Sequence, residues 1–156
     1  MSLQVGQKAP DFALFNTDKT KISLGDYQGK PVLILFFPLA FSGVCTAELC
    51  SMRDQMSVYN ELHTAILGIS VDSLFSLNRF KQENQLQFEL LSDFNKEVCA
   101  AYGCLNESFS FEMRGVSKRS AFVLDKDGII RYAEVLDNAG DLPNFQAIVD
   151  CLKTLE

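Results

Sequence analysis

Between Pro38 and Cys50 the chain gathers a proline, a hydroxyl, two thiols and a carboxyl: Pro38, Ser42, Cys45, Glu48 and Cys50. Of these, a cysteine does the most demanding chemistry, provided its sulfur is held as the thiolate, the form that attacks. Cys45 stands where an apolar run, Val32 to Phe37, gives way through Pro38, Ala40, Ser42 and Gly43 to a helical period that begins at Thr46. It therefore falls in the first turn of a helix, where unpaired backbone N–H groups and the positive end of the helix dipole favour an anionic sulfur. That electropositive, partly exposed setting distinguishes it from the ordinary buried cysteine, which packs as a small hydrophobe.

The other residue types narrow the chemistry. A cysteine-protease-type hydrolase needs a histidine beside the thiol. His63 is the one histidine in the chain, stands just before a predicted strand without a supporting motif, and reads as a surface residue. A disulfide oxidoreductase with a two-residue spacer between its cysteines is excluded by the five-residue step from Cys45 to Cys50. Zinc at Cys45 and Cys50 lacks two further ligands in the usual close pairing. Cys99 and Cys151 lie on predicted helices as small hydrophobes, whereas Cys104, following Gly103 in a loop, is expected to be exposed.

These groups need elements to position them, and the patterning supplies them. Val32–Phe37 is unbroken and apolar, as in a central strand covered on both faces. From Thr46 to about Leu62 the residues Leu49, Met52, Met56 and Tyr59 recur at helical spacing, and Ala65–Val71 is a second buried strand ending at Asp72-Ser73. A strand–helix–strand unit implies parallel pairing. Before it, Val5–Tyr27 holds a hairpin around Asn16–Thr20. After it, Ser73 caps a helix bearing Leu74, Leu77 and Phe80, Phe88–Leu91 is a short strand, and Asp93 opens a helix that runs to Tyr102 and stops at Gly103. Cys104–Lys118 has no period, and exposes Phe109, Phe111 and Met113. Ser120–Leu124 and Ile129–Val135 flank Asp125-Lys126-Asp127-Gly128, an antiparallel hairpin signal. Leu142–Leu155 places Phe145, Ile148, Val149, Leu152 and Leu155 on one helical face. The expected fold is α/β and thioredoxin-like, a mixed central sheet flanked by helices.

Composition sets the frame. The 156 residues are 47% hydrophobic and 22% charged with only 4 Pro, the profile of one domain, residues 1–156, with a sizeable core. A net charge of −6 argues against nucleic acid or an anionic membrane surface as a partner. No apolar run approaches the roughly 20 residues that span a bilayer, and the N-terminal stretch lacks a signal-peptide core, so a cytoplasmic location is expected. Five cysteines then read as reduced thiols or a catalytic set, not as a disulfide framework.

The run Pro38-Leu39-Ala40-Phe41-Ser42-Gly43-Val44-Cys45 resembles the peroxiredoxin signature, in which a proline, a threonine four residues on and a peroxidatic cysteine three residues later form one loop. Ser42 stands where the family usually has threonine; its hydroxyl would serve the thiolate and the peroxide oxygen, without the methyl that stiffens threonine. Glu48 matches a position that is acidic or hydroxylic in the family. Arg119, before Ser120-Ala121-Phe122-Val123-Leu124-Asp125, matches the family's arginine, which would stabilise the thiolate and donate to the peroxide; Lys118 is the neighbouring candidate. The N–H groups of Val44 and Cys45 would complete the cradle.

The resemblance implies a thiol-dependent peroxidase, reducing hydrogen peroxide and organic hydroperoxides through a cysteine sulfenic acid, in antioxidant defence and redox homeostasis. No metal, flavin, haem or other cofactor is expected. The reductant would be thioredoxin, glutaredoxin or a low-molecular-weight thiol. A glutathione-peroxidase-like enzyme would use a tryptophan, and the chain has none. Two branches are resembled. The Cys45–Cys50 spacing is similar to the bacterioferritin-comigratory-protein branch, in which Cys50 would resolve the sulfenic acid as a disulfide. Leu91-Ser92-Asp93-Phe94, Ala101-Tyr102-Gly103 and Gly128–Glu134 are similar to the AhpE branch, which commonly works with one cysteine. Five residues apart on a helix, two Cα atoms are roughly 8–9 Å from each other, and a disulfide rarely tolerates more than about 7 Å. Bonding Cys45 to Cys50 therefore requires the first turn to unwind. The aromatic stretch Phe109–Met113 is expected to pack against its copy in a homodimer, with a monomer as the alternative. A non-enzymatic redox-sensing or holdase-type module on the same fold is the rival function.

Overall fold

The computed structural model describes residues 3–155. Strand β1 (Ala13–Asn16) and β2 (Lys21–Ser23) form the first hairpin, and Asn16 makes the turn: its Oδ1 accepts from the N–H groups of Asp18 and Thr20 at 2.9 and 3.0 Å. Next comes β3 (Val32–Phe36), in which every residue is buried. Helix α1 (Gly43–Asp54) and α2 (Met56–Glu61) carry the chain to β4 (Ala65–Ser70), and α3 (Leu74–Asn84) carries it to β5 (Glu89–Ser92). Helix α4 (Glu97–Ala101), the short strands β6 (Leu105–Asn106) and β7 (Val116–Ser117), then β8 (Ser120–Leu124), β9 (Ile130–Val135) and α5 (Phe145–Lys153) complete the order.

The sheet runs β2-β1-β5-β4-β3-β8-β9. β3 is parallel to β4 and β4 to β5, as the helical crossovers require, and the remaining pairs are antiparallel. Alternation along β3 divides the core. Leu33 and Leu35 point with Cys45, Leu49, Met52, Tyr59, Leu77, Phe80, Ile148 and Leu152 to the layer of α1, α2, α3 and α5. Ile34 and Phe36 point to the other layer, built from Phe12, α4 and Tyr102. Gly68 has a specific reason in β4: a Cβ there would lie 2.8 Å from Leu90 Cδ2 on the next strand. The arrangement is the expected thioredoxin-like mixed sheet with helices on both faces. No helix among the described residues is long and apolar enough to cross a membrane.

Several boundaries differ from expectation. The helix predicted from Thr46 to Leu62 begins at Gly43 and breaks at Gln55, whose N–H bonds back only three residues to Met52 O, tightening the ladder until it ends. The helix predicted to open at Asp93 begins at Glu97. Asp93 instead caps it from a preceding turn, its carboxylate accepting from Val98 N and Cys99 N at 3.1 and 2.7 Å. Gly103 ends that helix at φ +70°, as expected. Residues 104–118 contain the β6–β7 pair, two residues a side and too short to show a period. Cys104 is fully buried, not exposed: it lies between α4 and β7, its carbonyl accepting from Lys118 N and its sulfur from Ser117 Oγ at 3.4 Å. The last strand starts at Ile130, after Ile129 has paired with Lys8, and a bulge leaves Arg131 unpaired between the Val123–Tyr132 and Leu124–Ile130 pairs. α5 starts at Phe145, after Asn144 caps it through Ala147 N.

Candidate active site

The local sequence forms the loop and first turn that hold the thiol. Phe37 N–H still bonds across to Ile69 O, and Pro38, lacking an N–H, ends the ladder as a buried residue. The loop then turns through Phe41 at φ +68°, a left-handed conformation that a bulky side chain adopts at a cost of about 1–2 kcal/mol. Its half-exposed ring lies edge-on to Phe80, centroids 5.2 Å apart. Two hydrogen bonds hold the turn: Ala40 N–H donates to Asp72 Oδ2 at 2.8 Å, and Ser42 Oγ donates to Leu39 O at 2.8 Å. Ser42 is the N-cap of α1 by backbone geometry, and the first intrahelical bond runs from Thr46 N to Ser42 O. The N–H groups of Val44 and Cys45 thus lie in the turn whose donors have no acceptor within the helix.

Cys45 is 0% exposed. The sequence places it in a partly exposed setting, and the structure encloses it: Leu49 and Met52 follow on the same helix, and Arg119 covers the sulfur. Arg119 arrives through register. β8 runs antiparallel to β3 with Ser120 opposite Phe36, so the residue before β8 lies beside the exit of β3 toward α1. From there Arg119 Nη1 donates to Cys45 Sγ at 3.2 Å and to Glu48 Oε1 at 2.7 Å, while Nη2 donates to Ala139 O at 3.0 Å. Arg119 is 2% exposed and Glu48 0%. Lys118 is not its substitute; it forms a surface pair with Asp137 at 3.2 Å.

Burial governs the charges. Desolvation raises the Glu48 carboxyl to about 7, and the attraction of Arg119 only partly offsets it. Burial also opposes the charge on Arg119, but Cys45 and Glu48 outweigh it and hold the guanidinium ionised. Glu48 Oε2 and Arg119 Nε are buried without a hydrogen-bond partner, so the pair leaves one acceptor and one donor unsatisfied. A fixed cation against a sulfur in a dry site stabilises anionic sulfur and any negative oxygen formed next to it.

The remaining thiols differ. Cys50 is half-buried further along α1, its Sγ donating at 3.5 Å to Asn84 Oδ1 at the end of α3. α1 is unbroken from Cys45 to Cys50, and all five cysteines are free. Cys99 and Cys104 are buried and pushed up by desolvation, Cys104 to about 11, which makes them poor nucleophiles. Cys151 is half-buried and also raised by burial. His63 is exposed. Among the described residues no three His, Cys, Asp or Glu side chains gather as a metal site. Thus Cys45, Glu48 and Arg119 meet, Pro38 and Ser42 shape the loop, and the Ser42 hydroxyl is turned to Leu39 O instead of the sulfur. Sequence reasoning missed Asp72, Asn84 and the carbonyl of Ala139, for a polar residue at a strand end or in a loop gives no sign of its long-range partner.

Comparison with known proteins follows the same lines. The model of the AhpC/TSA family matches residues 5–133. The chain is 37% identical over 156 residues to alkyl hydroperoxide reductase E of Mycobacterium tuberculosis, covering 98% of each chain. It is 39% identical over 132 residues to a putative peroxiredoxin bcp of Coxiella burnetii, covering 83% of this chain and 87% of that one. Among solved structures, peroxidoxin BcpB from Mycobacterium tuberculosis superposes with a TM-score of 0.88 at 24% identity over 99% of both chains, a likeness of fold.

Proposed function

The chain belongs to the AhpC/TSA family of peroxiredoxins, and on that premise we propose that Cys45 is its peroxidatic cysteine, with Arg119 and Glu48 as its charge partners. The protein is a thiol-dependent peroxidase, and the non-enzymatic alternative is not favoured. The observation that carries the site assignment is the single Arg119 nitrogen shared between Cys45 Sγ and Glu48 Oε1 in a buried site.

In the reaction, the Cys45 thiolate attacks one peroxide oxygen in line, the S–O bond forms as the O–O bond breaks, and the departing oxygen takes a proton to leave as water or an alcohol. Sulfur is oxidised by two electrons to the sulfenic acid, and the peroxide is reduced by two. Arg119, together with the N–H groups of Val44 and Cys45, stabilises charge on the oxygens as the bond breaks. Pro38 and Ser42 shape the loop around them. Cys45→Ser should abolish peroxide consumption, and retained turnover in that variant overturns the assignment.

Cys50 is the proposed resolving thiol: it attacks the Cys45 sulfenic acid, giving a disulfide and one water, and an external dithiol, or two equivalents of a monothiol, then returns both cysteines to the reduced state and is itself oxidised to a disulfide. The ideal helical separation requires the first turn of α1 to unwind beforehand. Peptide mapping after one equivalent of peroxide should find a Cys45–Cys50 link. A sulfenic acid as abundant in wild type as in Cys50→Ser refutes it. Hydroperoxides are the substrate class; thioredoxin, glutaredoxin or a low-molecular-weight thiol is the proposed reductant. One domain spanning the chain, a reducing cytoplasmic setting that suits five free thiols, and a homodimer through Phe109–Met113 complete the reading; Phe111 is 93% exposed there.

A further inference from the structure

We propose that Asp72 is a positioning residue that moors the active loop, and that it sets how the Cys45 site divides its time between a folded form that takes peroxide and an unwound form that closes the disulfide. The inference rests on Cys45 as peroxidatic and Cys50 as resolving thiol.

Asp72 lies just past the end of β4, the strand next to β3, and its Oδ2 accepts the Ala40 N–H at 2.8 Å. Ala40 is the middle of the loop between Pro38 and the helix cap Ser42. The carboxylate is itself fixed. Ser70 Oγ donates to the same Oδ2 at 2.6 Å, Asp72 N–H donates back to Ser70 Oγ at 3.2 Å, and Ser92 Oγ donates to the Asp72 carbonyl at 2.6 Å. Ser70 and Ser92 are paired residues on β4 and β5, so Asp72 is tied to the rigid ends of two parallel strands. A negative oxygen accepting a backbone N–H makes the stronger, charge-assisted kind of hydrogen bond.

What it holds in place is strained. Phe41, the next residue after Ala40, is at φ +68°, and its ring is half-exposed, held by Phe80 at 5.2 Å. Left alone, that residue relaxes toward a right-handed or extended conformation, and the cap at Ser42 moves with it. The first turn of α1, which carries Cys45, starts at that cap. The Asp72–Ala40 bond therefore opposes the same unwinding that the Cys45–Cys50 disulfide demands.

The test separates mooring from chemistry. Asp72→Asn keeps an oxygen for the Ala40 N–H, whereas Asp72→Ala removes it. In Asp72→Ala the amide of Ala40 should lose hydrogen-exchange protection by roughly tenfold or more, the range expected for a lost hydrogen bond to a charged acceptor. Oxidation of Cys45 by peroxide, followed in a Cys50→Ser background by rapid quench, alkylation and intact mass, should slow. With Cys50 present, conversion of sulfenic acid to disulfide should quicken. Asp72→Asn, which keeps the oxygen but not its charge, should lie between wild type and Asp72→Ala in all three. Should Asp72→Ala fail to fold, Ser70→Ala, which frees the carboxylate without removing it, should shift the same three readouts in the same directions by smaller factors. Unchanged Ala40 exchange, or wild-type rates for both steps in a folded Asp72→Ala or Ser70→Ala protein, overturns the proposal. Exchange at Ala40 requires no peroxide chemistry, so a failure of Cys45 or Cys50 in its assigned role shows separately, as turnover in Cys45→Ser or as an absent disulfide in wild type.

Discussion

Arg119→Met removes the guanidinium while keeping much of the buried side-chain volume, and its effects on stability and on rate should separate. One nitrogen serves two acceptors, Cys45 Sγ at 3.2 Å and Glu48 Oε1 at 2.7 Å. A charge-assisted hydrogen bond contributes about 1.5–3 kcal/mol, so losing the one to sulfur should slow the attack on peroxide by roughly one to two decades at about 1.4 kcal/mol per decade. Stability has a different dependence. Breaking a buried pair by deleting one partner costs about 3–5 kcal/mol when the other charge is stranded. Glu48 has an escape, because its carboxyl is already raised to about 7 and protonates more readily still without Arg119. The stability loss should thus be smallest near pH 5 and larger near pH 8 by at most about 1.4 kcal/mol, because only the wild-type carboxyl loses its proton in the one pH unit above about 7. Urea unfolding at both pH values measures it. The rate is measured by rapid quench with alkylation and mass spectrometry, since the chain has no tryptophan to report fluorescence. Adding Glu48→Gln should restore most of the pH 8 stability and none of the rate. If Arg119→Met oxidises Cys45 within about twofold of wild type, or if the double variant recovers the rate, the charge-partner argument is wrong.

Glu48 carries a second pH signature. Its folded-state value, about 7, lies above the ordinary 4.5, so the proton is held more tightly in the folded chain. That contribution to stability is fully present below about 4.5 and is lost as pH rises through about 7, a change of about 3 kcal/mol. Glu48→Gln should flatten this part of the stability–pH curve, and a parallel curve for the variant counts against it. Leu49→Ala, beneath the thiol at 0% exposure, should cost about 2–5 kcal/mol in urea unfolding; a loss under about 1 kcal/mol would mean the first layer of α1 is not packed as described. Phe111→Asp should shift sedimentation from dimer to monomer at tens of micromolar protein, whereas wild type sedimenting as a monomer in both redox states removes the dimer proposal.

The sequence alone carries the junction around which the site is built. Five apolar residues of β3, the proline that cannot join a ladder, and the helical spacing of Leu49 and Met52 are local signals, and they place Cys45 in a first helical turn without any knowledge of neighbours. The hairpin at Asp125–Gly128 is equally local, because Asp125 accepts from Asp127 N and Ile129 N within the turn itself. Arg119 was legible only through a resembled motif. Its approach to Cys45 depends on the β3–β8 register, a pairing between segments far apart in the chain. The tertiary structure also decided what periodicity cannot encode. It enclosed Cys45 and Cys104, turned the Ser42 hydroxyl toward Leu39 O, and brought Asp72 to Ala40. Whether a small polar or sulfur-bearing side chain meets solvent or a distant partner is set by which strand ends lie side by side, and strand order is a property of the whole sheet.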